Sequence, residues 1–171
     1  MNDSPVELVI EEPAWLQAIP DLQDLATTAV TAGLAAAKLA PSGVSIALLA
    51  CDDARIAELN GEFRDKTSAT NVLSWPAFDL APDAPGQTPP APDLAGWPSP
   101  APLGDVAIAL QTCTHEATKA GLPLKNHCMH LILHGTLHLL GYDHQTVPDA
   151  ELMEGMERQA LARLGLPDPY A

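Results

Sequence analysis

The sequence predicts a domain of mixed α and β structure, in α+β or α/β order, around a small sheet of about four strands. Three observations carry this. Four short runs are β-branched or continuously apolar, and five longer stretches repeat apolar residues at helical spacing. The length of 171 residues, 47% of them hydrophobic, suits one domain with a substantial buried core.

Val6 to Ile10 reads as a first strand. Pro20-Asp21 opens a helical pattern in which Leu22, Leu25, Ala29, Ala32 and Ala36 recur at helical spacing, and Pro41 ends it. Val44 to Ala50, a continuous apolar run after Ser-Gly, suits a buried strand. Asp52-Asp53 caps a helix through Phe63, with Ile56, Leu59 and Phe63 along one face. Asn71 to Trp75 and Asp105 to Leu110 are the third and fourth strands. Between them, residues 76–103 hold nine of the 17 prolines, which predicts an extended, mobile insertion without a core of its own. Gln111 to Gly121 reads as a helix. Pro123 opens a histidine-bearing helix at its first turn, and Pro148 opens a last amphipathic helix to about Leu164, closed by Gly165.

A formal charge of −14 favours solubility and opposes nonspecific adhesion to DNA, RNA or anionic membranes. The eight basic residues form no run. Cys51, Cys113 and Cys128 have neither CxxC nor CxH spacing and read as small buried hydrophobes of a reducing compartment. The start of the chain has no basic and apolar leader, and no segment reads as a membrane span, so a cytoplasmic location is expected.

The functional signal is His134-Gly-Thr-Leu-His138-Leu-Leu-Gly141-Tyr-Asp-His144. Residues four apart on a helix lie about 40° apart around the axis and roughly 6 Å along it, so both imidazoles point the same way. Gly141 sits where a helix exits through a left-handed residue, which lets the chain fold back and bring His144 to the same point. Three neutral imidazoles with an open fourth position are the ligand set of a catalytic zinc site. Imidazole favours zinc without excluding nickel or copper.

This spacing is the one by which metzincin proteases wrap zinc, yet the glutamate that serves them as general base is Gly135 here. The ligand set says hydrolase; the missing glutamate says that the chemistry is not standard proteolysis. Two readings stand for Asp143: acceptor of a hydrogen bond from a ligand imidazole, or turn residue. His127 and His130 read as outer-sphere or surface residues, and His115 as surface. Glu151, Glu154 and Glu157 are the carboxylates available to a peptidase, though a solvated acidic helix face accounts for them better.

Leu59-Asn-Gly-Glu-Phe-Arg64-Asp-Lys66-Thr-Ser-Ala-Thr-Asn71-Val-Leu-Ser-Trp-Pro76 places two of the eight cations just before a strand. Together with the three histidines and Gly104-Asp105-Val106-Ala107-Ile108, this segment resembles the YbeY family of bacterial metal-dependent endoribonucleases over most of the chain. The resemblance implies an α+β, zincin-like fold with a small mixed four-stranded sheet and about five helices. It also implies one zinc ion on His134, His138 and His144, and a catalytic arginine at Arg64 facing the metal across a cleft. A guanidinium there clamps a phosphodiester bidentately and neutralises charge that builds during transfer; Lys66 adds a second phosphate contact. Implied partners are ribosomal RNA and the ribosome or its proteins, in maturation of the small-subunit rRNA 3′ end and ribosome quality control. Two departures mark this chain: the long proline-rich insertion, and Thr67 where an Asp is common.

Acidity and an RNA substrate coexist if the positive potential is local. Arg64 and Lys66, with Lys119 or Lys125, are the residues available for such a patch, which predicts weak binding of free RNA and delivery by a partner. Two chemical routes stay open, direct attack by water or attack by the RNA 2′-hydroxyl. Two other functions also fit the residues: a zinc peptidase, and a ribosome-associated assembly factor with purely structural zinc.

Overall fold

The structure is a computed structural model that describes residues 4–171. Its first strand, β1 (Val6–Ile10), is followed by two helices, α1 (Ala14–Ala18) and α2 (Leu22–Ala36), and then by β2 (Val44–Cys51). Helix α3 (Asp53–Arg64) leads to β3 (Val72–Pro76). After the proline-rich connection come β4 (Ala101–Ala109), α4 (Leu110–Ala120), α5 (Leu124–Leu139) and α6 (Val147–Arg163). The four strands form one mixed sheet in the order β1-β2-β4-β3. β2 runs parallel to β1 and to β4, with Val6 opposite Ile46 and Leu48 opposite Val106; β3 pairs antiparallel to β4, with Ser74 opposite Val106. The expected four-stranded α+β architecture is present, with six helices among the described residues.

Alternation along β2 covers both faces of the sheet. Val44, Ile46, Leu48 and Ala50 enter the main core with Leu25, Ala29 and Leu34 of α2 and Leu133 and Leu137 of α5. On the other face Cys51, Ala107 and Ala109 pack with Ile56 and Leu59 of α3. β3 is left as an edge strand between α3 and α5, and this edge becomes one wall of the site.

The largest differences from the sequence expectation concern α1, the start of β4 and the proline-rich connection. Helix α1 has only five residues, too short to show a period, but its Trp15 is fully buried and donates from Nε1 to the Cys51 carbonyl at 2.8 Å. β4 begins at Ala101, four residues before the expected Asp105, and Leu110 already belongs to α4. Prolines normally argue against a central strand; here the register slips between Ser45 and Ile46, so Leu103 is an extra residue and Pro102 is accommodated at that irregularity. The proline-rich connection therefore spans 77–100, shorter at both ends than the predicted 76–103. It is not detached from the body. Leu80 is buried, Phe78 and Leu94 pack on the main core, and the Gly86 N–H donates to Asp149 Oδ1 at 2.8 Å. No helix among the described residues is long and apolar enough to cross a membrane.

Candidate active site

Helix α5 carries His134 and His138 in its last two turns and ends in a Schellman motif. The Tyr142 N–H donates to the Leu137 carbonyl at 3.1 Å, and the Gly141 N–H to the His138 carbonyl at 3.1 Å. Gly141 has φ +97°, the left-handed region in which a Cβ is strained. A Cβ there would also collide with the Leu80 backbone carbonyl, because the proline-rich connection lies directly on this turn. Glycine is thus required twice over, and the turn it makes returns the chain so that His144 faces the other two rings.

The three imidazoles converge. Ring centroids are 4.6 Å apart for His134 and His138, 5.3 Å for His134 and His144, and 5.1 Å for His138 and His144. The Nε2 atoms of His134 and His138 are 3.1 Å apart, close to the roughly 3.3 Å expected between two nitrogens on one tetrahedral zinc. Burial, then the charges on His134 and His144, pulls the His138 pKa down to about 4, against opposing contributions from Asp143 and a backbone hydrogen bond at Tyr142. His138 is therefore neutral at pH 7, with a lone pair for a cation. The donor set fits a divalent metal.

The carboxylate that orients this set is Glu157 of α6. Its side chain is 0% exposed and collects three contacts: His134 Nδ1 at 2.8 Å and His130 Nε2 at 2.9 Å on Oε1, and the Tyr170 hydroxyl at 2.8 Å on Oε2. Burial pushes this carboxyl up, but the hydrogen bonds from His130 and His134 and the charges on those rings outweigh it and hold it at about 2. With Nδ1–H of His134 donated to Glu157, Nε2 presents its lone pair to the triad. Among the described residues, two groups of side chains could hold a metal ion, His134 with His138 and His144, and His130 with His134 and Glu157. In the second group the N···O separations are those of charge-assisted hydrogen bonds, and Tyr170 occupies the remaining carboxylate oxygen.

Two sequence expectations are corrected here. Asp143 does not hold a ring: its Oδ1 accepts the backbone N–H of His144 at 2.8 Å, as a turn residue does. Glu157 is not part of a solvated acidic face. It lies at helical spacing with the buried Met153, Ala160 and Leu161, and a charged residue inside that apolar stripe was the available signal.

His134, His138 and His144 line one end of a cleft of about 700 Å³ that Arg64 and Lys66 also line. Arg64 closes α3, where Asp65 caps the helix in the left-handed conformation. Its Nη2 donates to the Ser74 carbonyl on the free edge of β3 at 2.8 Å, and both Arg64 and Lys66 are exposed. Lys119 and Lys125 are not at the cleft; Lys125 pairs with Asp21 at 3.0 Å. Gly135 explains itself by packing. A Cβ there would stand 3.0 Å from Val106 Cγ1 and 3.2 Å from Ser74 Oγ, so residue 135 faces the sheet, not the cleft.

The profile of the YbeY family, described as endoribonuclease YbeY, matches residues 11–165. The chain belongs to this family. Relatives named endoribonuclease YbeY include those of Dinoroseobacter shibae, 55% identical over 96% of this chain and 90% of the relative, and of Ruegeria pomeroyi, 53% identical over 96% and 97%. The solution structure of a Thermotoga maritima protein superposes with a TM-score of 0.51 over 94% of this chain and 91% of that one; at 15% identity it shows a shared fold.

The crowding of the rings has a pH consequence for metal-free protein. His138 titrates near 6.5 unfolded and near 4 folded, so between those values the unfolded chain binds the extra proton. Its contribution to stability is complete above pH 6.5 and is lost as pH falls toward 4. Urea unfolding of chelated protein is expected to show roughly 2 kcal/mol less stability at pH 5 than at pH 7.5. Equal stability at both values would contradict the packing of this ring.

Proposed function

We propose that this YbeY-family protein is a zinc-dependent, single-strand-specific endoribonuclease that matures the 3′ end of small-subunit rRNA and serves ribosome quality control in the cytoplasm. The observation that supports this reading best is one cleft lined both by three converging imidazoles and by the exposed cations Arg64 and Lys66. His134, His138 and His144 would hold the ion. Zinc so held supplies a Lewis acid at neutral pH.

The remaining steps belong to the chain's own residues. Arg64 is anchored through one guanidinium nitrogen on Ser74, which leaves its other N–H groups to clamp a phosphodiester and neutralise charge developing on its oxygens. Lys66 adds a point charge on a neighbouring phosphate. Glu157 keeps His134 in one tautomer and one orientation. Two cations on a body of charge −14 give little affinity for free RNA, which supports delivery by the ribosome or a ribosomal protein.

A peptidase is disfavoured twice. Residue 135 faces Val106 and Ser74, and Glu157 is committed to three donors. The test is metal removal. Protein as purified is expected to cleave single-stranded RNA and no peptide, to lose cleavage on chelation, and to regain it with Zn²⁺. RNA cleavage that survives complete chelation would contradict the reading.

A further inference from the structure

We propose that Phe78, backed by Trp97, is a stacking platform for one unpaired nucleobase of the RNA strand whose phosphate Arg64 and Lys66 hold; this rests on the nuclease reading. The chain has seven aromatic residues: three Trp, two Tyr and two Phe. Most are committed elsewhere. Trp15 is fully buried, Tyr142 borders the cleft but is only 7% exposed, Tyr170 is bonded to Glu157, and Phe63 packs edge-on against Trp75 away from the cleft lining. Phe78 is different. It is half-buried against the main core, lines the same cleft as Arg64 and the three histidines, and packs on Trp97 at a centroid distance of 5.1 Å with the rings tilted by 55°. Trp97 is itself 45% exposed, so the pair is not a closed core.

Both residues belong to the proline-rich connection, which presents them on a pinned backbone. The Ala77 N–H donates to the Leu103 carbonyl at 2.9 Å, Leu80 is wedged on Gly141, and Gly86 is tied to Asp149 of α6. Pro98 narrows the backbone choices of Trp97 by disfavouring the helical region. A platform fixed before binding spends less entropy on capture.

Charge selects the occupant. Of residues 77–100, Phe78, Asp79, Leu80 and Ala81 line the cleft, and the segment holds no Lys or Arg, so this wall attracts no phosphate and Phe78 is its one aromatic side chain toward the strand. The opposing segment offers Arg64 and Lys66. A single strand in this cleft therefore turns its phosphates toward the cations and a base toward Phe78. Stacking needs an unpaired base and tolerates any of the four, because each has a π-face.

The experiment measures kcat and KM of the full-length, metal-loaded protein on a single-stranded oligoribonucleotide, and on a series made abasic at one position at a time. Phe78→Ala is expected to raise KM about 10- to 100-fold with little change in kcat, and Phe78→Tyr to retain the wild-type KM. One abasic position should raise the wild-type KM by the same factor and be silent in Phe78→Ala. If Phe78→Ala fails to fold, Trp97→Ala and the abasic series on the wild-type protein carry the test: both should raise KM. The platform is overturned, and the nuclease reading stands, if the wild-type protein cleaves RNA with no sensitive abasic position and with KM unmoved by these variants. If the wild-type protein cleaves no RNA, both fall.

Discussion

His138→Ala is expected to abolish tight metal binding and RNA cleavage together while the chain stays folded. The ring forms one corner of a compact triangle, with Nε2 3.1 Å from His134 Nε2 and its centroid 5.1 Å from that of His144. Two imidazoles cannot hold an ion as three do, and the loss cannot be made up by Glu157, whose oxygens are taken by His130, His134 and Tyr170. The fold survives because the sheet and the α2–α5 core do not use this side chain. Removing it also removes a neutral ring held against protonation, so the variant should lose less stability than the wild-type metal-free protein when pH falls from 7.5 to 5. Metal analysis after gel filtration, a cleavage assay and urea unfolding at the two pH values check all three points. Retained metal at one ion per chain would contradict the ligand assignment.

Arg64→Ala separates substrate chemistry from metal binding. The guanidinium is exposed, lies at a helix end and makes one backbone hydrogen bond, to Ser74, so its removal should leave the melting temperature and the metal content unchanged. Cleavage should nevertheless fall by about 10²- to 10³-fold in kcat, the usual cost of removing one preorganised group aimed at developing charge. Arg64→Lys should recover only part of this, because an ammonium supplies charge without the planar fork. Steady-state kinetics on single-stranded RNA measures the loss; a change below tenfold would remove Arg64 from the chemistry.

Much of this site is legible in the sequence, and the reasons are local. The i,i+4 pair His134 and His138 needs only helix geometry, and Gly141 announces its own left-handed turn. What was not readable depends on distant packing. Glu157 stands 23 residues from His134, and nothing nearby in sequence says that α6 lies against α5. Asp143 stays open between two readings in the sequence because a turn carboxylate bonding the next backbone N–H has the same sequence pattern as one holding a ring. Lys125 is drawn to Asp21, more than 100 residues away. The start of β4 was hidden by its prolines and by the irregularity that admits them, and α1 by its length. Loop-to-turn packing, also absent from the local sequence signal, sets Leu80 on Gly141 and so joins the proline-rich wall to the histidine loop.

X-ray absorption at the zinc edge, on protein loaded with one equivalent of Zn²⁺, tests the central claim most directly. Three histidine ligands on one ion per chain are predicted, with the signature intact in Arg64→Ala and absent in His138→Ala. An ion ligated by a carboxylate and two histidines, unaffected by loss of His138, would place the metal on His130, His134 and Glu157 and contradict the account.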